Sequence, residues 1–287
     1  MISVDGPGDP SVEAAQPFLQ DPRLRLHVQS SRRGWAGNLD WTMRNRRGTF
    51  FIFQQHDDQV SPTCVADLVA AAARWPKAAV CFSEMDVSGS AHQLVRHKSI
   101  LGDAVSRALT HIERLETSMF RGLIRGASLD AVGGLQVTEF ESFGSLHVFL
   151  AELALLGEFR FVEGPTYYKR IHGNNLHLKW FDWPERQKRA AWALLAAQLT
   201  EALMKAGTSP LERWHLWLTV ADRFLMSRGG DRWMFCTVDE EDETARRAVL
   251  AEILERLRTT ARVDLAAALE TSWPSIEDLT WRRFSRD

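Results

Sequence analysis

Three polar residues in a row, His56-Asp57-Asp58, follow the apolar run Phe50-Phe51-Ile52-Phe53 after the spacer Gln54-Gln55. Two carboxylates beside an imidazole are hard donors suited to Mg2+ or Mn2+, and such an ion neutralises a diphosphate. Adjacent acids in a turn also occur as a solvated loop, and Asp58 stands where it can cap a helix opening near Ser61. A second acidic turn, Asp5-Gly6-Pro7-Gly8-Asp9, follows Ile2-Ser3-Val4. Further along, Glu139 and Glu141 precede an apolar run, and Arg170-Ile171-His172 carries a guanidinium and an imidazole in an R-x-H arrangement.

These residues need elements to position them. Strand-like runs are Ile2 to Val4, Leu24 to Val28, Thr49 to Gln54, Ala78 to Phe82, Ser118 to Arg125 and Phe159 to Val162, the last running to Gly164-Pro165. Helical patterns cover Gly34 to Arg47, Ser61 to Trp75, Gly102 to Leu115 and Ser145 to Leu156; Ser61-Pro62 supplies a cap and a first-turn proline, and Gly157 a stop. Residues 86 to 99 read as polar and irregular. The alternation predicts βαβ crossovers and a parallel sheet, with ligands beyond the carboxyl ends of the strands, where both acidic turns lie. Past Trp180 only helices are expected. Glu185 to Ala206 is amphipathic, Ser209-Pro210-Leu211-Glu212 is a capping box, and Asp239 to Asp242 opens a third helix with acids.

Composition narrows the partners. Lys and Arg total 35 against 37 Asp and Glu, a net charge of -2, so no basic field invites nucleic acid. Cys64, Cys81 and Cys236 lack metal or redox spacing, which predicts reduced, buried thiols in a cytoplasmic protein. No run approaches the ~18 apolar residues of a membrane span, and contact with a membrane would be peripheral. Six of the 11 tryptophans fall at 180, 183, 192, 214, 217 and 233, where core packing is the first reading and sugar stacking or lipid contact the second.

In order along the chain, Ser3-Val4-Asp5-Gly6-Pro7-Gly8-Asp9, Arg33-Gly34-Trp35-Ala36-Gly37-Asn38 and Gly48 to Asp58 followed by Ser61-Pro62 resemble the nucleotide-binding half of family 2 glycosyltransferases. Phe120 to Arg125, Val132-Gly133-Gly134, Leu153 to Phe159 and Tyr167 to Asn175 resemble that family's later motifs, so the similarity spans roughly residues 2 to 177. The resemblance implies an α/β fold of the GT-A type, a Rossmann-like mixed and mainly parallel sheet with helices on both faces, occupying residues 1–178. An α-helical C-terminal subdomain follows over 179–287. It implies inverting transfer from a nucleoside-diphosphate sugar to a hydroxyl of a glycan, lipid-linked or other acceptor, as in polysaccharide biosynthesis, in the cytoplasm or at the inner membrane face. Asp5, Asn38, Gln55, Asp57 and Arg170 would face the nucleotide sugar, and Asp57, Asp58 and His172 the divalent cation.

The departures from that pattern bear on activity. Gln55 stands where the family has the first Asp of its metal motif, and Val4 replaces an acid beside Asp5. The family's first strand and helix precede the segment at which this chain starts. At Ser145 and Leu146, where the family carries a Glu-Asp pair with the general base, no acid is found; the base is then Glu141, Glu139 or His147, or is absent. A glycosyltransferase-like protein that binds without turning over is the alternative.

Overall fold

Ala78 to Phe82 is buried at all five positions and becomes the heart of a six-stranded sheet in the computed structural model of the chain. The structure describes residues 1–89, 92–173, 175–204 and 243–259, together with 209, 212, 215, 216, 219, 220, 266, 267, 270 and 271. In chain order the strands are β1 (Ile2–Val4), β2 (Leu26–Val28), β3 (Phe50–Ile52), β4 (Gln59–Val60), β5 (Ala78–Gly89), β6 (Gln93–Val95), β7 (Leu123–Arg125) and β8 (Glu158–Ile171). The helices are α1 (Ser11–Ala15), α2 (Gly34–Arg44), α3 (Cys64–Arg74), α4 (Ala104–Arg114), α5 (Gly126–Ala131), α6 (Ser145–Leu156), α7 (Leu176–Phe181), α8 (Glu185–Met204) and α9 (Glu243–Thr259).

The large sheet runs β3-β7-β5-β8-β4, with β6 on β5, and β1 and β2 form a separate parallel pair. The sheet is mixed rather than mainly parallel: within it only β5 and β8 are parallel, and the other pairings are antiparallel. Connection length accounts for one of these pairs, β5 with β6. A parallel neighbour needs a long crossover, whereas β6 folds straight back on β5 as a hairpin. Residues 86 to 99, expected to be irregular, therefore hold the end of β5 and the whole of β6. β8 is also longer than its apolar run, because Thr166 to Ile171 pairs with Glu84 to Gly89 beyond a register shift. Gly89 has φ 118°, and a Cβ there would fall 2.0 Å from the Ile171 carbonyl oxygen, so the two strands end in a contact that only glycine allows. Ser118 to Arg121 is a 3-10 turn rather than strand.

Several caps also differ from expectation. Thr63, not Ser61, precedes α3 and makes no side-chain cap bond; Ser61 instead exchanges hydrogen bonds with Thr166 on β8, its N–H donating at 2.9 Å and its hydroxyl accepting at 3.1 Å. The Ser209–Glu212 capping box forms as written, with the Ser209 N–H donating to the Glu212 carboxylate at 2.7 Å. The acids at 239 to 242 lie outside the described residues, as do Cys236 and the tryptophans at 214, 217 and 233; Cys64 and Cys81 are buried thiols.

Two cores meet at α6, which buries apolar residues on two faces. Phe149, Leu150, Leu153 and Ala154 join β5, β7 and α2 in one cluster; Val148 and Ala151 join α4, α8 and α9 in another. Trp192 is buried in the second cluster, with Trp180 and Trp183 against it, so these three tryptophans pack. No helix among the described residues is long and apolar enough to cross a membrane.

At the seam, His111 of α4 is fully buried, its Nε2 3.1 Å from the His147 carbonyl oxygen of α6, and burial pushes its pKa down to about 4 against the weaker upward pull of that carbonyl and Glu116. A histidine neutral in the fold but free to charge when unfolded makes stability fall as pH drops from about 6.5 towards 4. Full expression is worth on the order of 3 kcal/mol. His111→Gln, which keeps a donor for the carbonyl, is expected to flatten that acid limb relative to the unmodified chain in urea melts from pH 7.5 to 4.5; parallel limbs would contradict the assignment.

Candidate active site

The residues after β3 do not form a free turn. The Gln55 N–H donates to the Tyr167 hydroxyl at 3.4 Å, and that hydroxyl donates to Asp58 Oδ2 at 2.7 Å. Asp58 Oδ1 accepts the Arg170 N–H at 3.0 Å, and Gln54 Nε2 donates to the Asp58 carbonyl oxygen at 3.1 Å. The Asp58 side chain is only 1% exposed, so both oxygens are spent on tying the loop to β8. It caps no helix. Burial pushes the Tyr167 phenol well above its ordinary range, and the Asp58 carboxylate adds to this while Arg121 opposes it. Tyr167 thus remains a proton donor, as a buried carboxylate requires.

Asp57, one residue earlier, faces elsewhere. Its Oδ2 is 2.8 Å from His172 Nε2 and 3.5 Å from Asn175 Nδ2, while its Oδ1 is buried with no hydrogen-bond partner among the described residues. Burial pulls the Asp57 carboxyl up, but the His172 hydrogen bond and the charges of His56 and His172 together hold it below the ordinary value. Asn175 Oδ1 accepts the His172 backbone N–H at 2.7 Å, which fastens the chain at the residue that carries the imidazole. Gln55 uses its amide oxygen to accept from Arg121 Nη2 at 2.7 Å, and that guanidinium lies 5.5 Å from the Tyr167 ring centroid. Lys169, mostly buried beside Arg121, has its pKa lowered to about 8 by burial and by that neighbouring cation, with Asp58 and Asp57 pulling the other way.

Gln55, Asp57, Asp58, Arg170 and His172 are therefore brought to one place, Arg170 through its backbone with an exposed side chain. Asp5 and Asn38 serve the β1 end. Asp5 Oδ1 accepts the Arg33 N–H at 2.7 Å where α2 begins, and Asn38 binds Ser3 and the buried Gln29, fastening α2 under β1. Glu139 is paired with Arg256 of α9, which holds its carboxyl below the ordinary value. Glu141 is exposed at φ 48°, and its carbonyl oxygen accepts from Trp35 Nε1 at 2.8 Å. Ser145, buried at the start of α6, donates to the Gln136 carbonyl oxygen at 2.6 Å, and His147 is buried within α6. Arg121, Tyr167 and Asn175 complete the site, and no spacing marked them individually; the alternation of Tyr167 (2% exposed) with Tyr168 (41%) is the one local signal.

For a divalent cation, the set that fits is Asp57 with His172. No three His, Cys, Asp or Glu side chains converge among the described residues, so an all-protein cage is not built. Mg2+ commonly takes one or two carboxylates and completes its shell with substrate phosphate and water. The orphaned Asp57 Oδ1 suits that arrangement.

The model of the family described as glycosyl transferase family 2 matches residues 1–146, half of the chain. The chain belongs to glycosyl transferase family 2. Among solved structures, this family 2 chain is similar to residues 1–349 of S. aureus TarS, with a TM-score of 0.60 at 14% identity over 98% of this chain and 81% of that one. The same TarS portion in complex with UDP gives 0.57 at 13% identity, over 95% and 81%. At such identity the likeness is one of fold, and the fold is GT-A. No curated protein matches the sequence. Family and fold together make the chain a glycosyltransferase.

The two aspartates carry opposite burdens, and substitution separates them. Asp58→Asn weakens two hydrogen bonds to a buried charge and is expected to cost about 2–3 kcal/mol. Asp57→Asn is expected to cost less than about 1 kcal/mol, because one of its oxygens is unpartnered. Urea unfolding of both variants checks this, and equal losses would contradict the division.

Proposed function

We propose that this glycosyltransferase moves a sugar from a nucleoside-diphosphate donor to a hydroxyl of a glycan or lipid-linked acceptor with inversion at the anomeric carbon. The observation that carries the reading is Asp57: a carboxylate at a strand's end, one oxygen fixed by His172 and the other buried without a partner. Asp57 and His172 would hold Mg2+ or Mn2+, which supplies neutralisation of the diphosphate when bound. Arg121 adds positive charge beside it, a source of electrostatic stabilisation for a leaving group. The UDP complex of the TarS domain supports a nucleoside diphosphate as that leaving group. Asp5 and Asn38 shape the nucleotide end through α2.

Glu141 serves as the base in this reading. Its carboxylate takes the proton from the acceptor hydroxyl, the oxygen attacks the anomeric carbon, and the bond to the diphosphate breaks with its electron pair leaving on the phosphate oxygen. Glu139 is committed to Arg256, which holds its carboxyl below the ordinary value. A second reading rests on Gln55 and Ser145, which stand at the family's acid positions and are both engaged in hydrogen bonds within the chain. On that reading the protein binds nucleotide or glycan without turnover.

Calorimetry with UDP and Mn2+ is expected to show metal-dependent binding that Asp57→Ala abolishes; unchanged affinity in the variant would sink the metal assignment. UDP release from a panel of UDP-hexoses is expected to fall by about a hundredfold or more in Glu141→Gln. Binding without any UDP release by the unmodified chain would favour the second reading.

A further inference from the structure

The segment from Gln136 to Ser145 is held in an uncommon shape. Glu141 and Ser142, neither of them glycine, have φ 48° and 58°, and Gly144 follows at 76°. Consecutive left-handed residues persist only where their surroundings over-determine them. Here the surroundings are the helices that follow the GT-A sheet. Phe143 packs edge-on against Trp180 at 5.1 Å between ring centroids, and Phe140 and Phe143 lie 6.4 and 6.0 Å from Trp183. Gly144 is pressed against Leu195 of α8, whose side chain would lie 2.8 Å from an added Cβ. Gln198 of α8 donates to Gln136 at the segment's other end. Over the tip, Arg256 of α9 pairs with Glu139, braces on Glu252 at 3.0 Å and covers the Phe140 ring at 5.6 Å. On the inner side the same segment reaches α2, through the Trp35 indole on the Glu141 carbonyl.

We propose that Arg256 is a positioning residue: through Glu139 and Phe140 it locks the segment 136–145 so that Glu141 is presented beside α2. The helices after residue 178 then act as a clamp on the acceptor side of the site. This rests on the reading of Glu141 as the base for its catalytic consequence, but not for its geometry. The effect of Arg256 on Glu141 passes through the Glu139 and Phe140 side chains and the backbone of the loop.

The test uses the full chain labelled with 15N, in which the Trp35 indole N–H is assigned by its loss in Trp35→Phe. Arg256→Gln, Glu139→Gln and the double variant are each expected to shift the Trp35 indole resonance and speed its hydrogen exchange, Arg256→Gln at least as much as Glu139→Gln because it also uncovers Phe140, and the double variant no more than Arg256→Gln. The charge swap Glu139→Arg with Arg256→Glu is expected to restore part of it, since it remakes the ion pair but not the contacts with Glu252 and Phe140. The swap also keeps the test open if a single variant fails to fold. A Trp35 resonance unmoved in folded single variants overturns the proposal. In UDP release from UDP-hexoses, kcat is expected to fall by about ten- to a hundredfold with donor KM unchanged, the pattern of a misplaced group rather than of lost binding. A moved Trp35 with unchanged kcat leaves the clamp standing and removes Glu141 as the base.

Discussion

A carboxylate sealed from water must be surrounded by donors or it will not stay charged, and Asp58 imposes that condition on the centre of this molecule. Its two oxygens take the Tyr167 hydroxyl and the Arg170 N–H, so the loop after β3 and the last third of β8 cannot move independently. The tie sets the direction of its neighbour. With Asp58 turned inward, Asp57 turns towards His172, which comes from the far end of the same β8 strand. Gly89 closes β5 against Ile171 just before that histidine, so the strand's end is fixed by steric contact as well as by hydrogen bonds.

Much of this was within reach of sequence reasoning, for identifiable reasons. The apolar run ending in His56-Asp57-Asp58 announces a strand end, and chemistry at such ends follows from how α/β sheets are built. The order of the motifs carried the family and the fold class. What could not be read was which of two adjacent aspartates faces inward, since that depends on Tyr167, more than a hundred residues away. The end of β5 and all of β6 escaped because residues 86 to 99 are mostly polar, and of those described only Val87 and Val95 pack, in a small cluster with Met85 and Tyr167. Ser61 looked like a cap by residue type, yet its hydroxyl found a better partner on β8. Glu139 and Glu141 looked alike in sequence; only the fold brings Arg256 to one and a left-handed backbone to the other.

Helix α6 joins the two cores. One face completes the core under the sheet and the other the core of the later helices, so the loop that leads into it is pinned from both sides. Loss of the family's acids at the start of α6 is consistent with this crowding: Ser145 is buried and bonded to Gln136, a place where a carboxylate would be costly. The exposed Glu141, four residues earlier, is the acid of that loop with no ion pair among the described residues.

In the proposed function Asp57 is half of a metal site that the donor's diphosphate completes. Electron paramagnetic resonance of Mn2+ tests it directly, because the sextet of the free ion is lost on binding. With protein alone the sextet should persist. Adding UDP should deplete it in the unmodified chain beyond what UDP alone achieves, and should not do so in Asp57→Asn. Tight Mn2+ binding without UDP, or depletion that survives the substitution, would contradict the role assigned to Asp57.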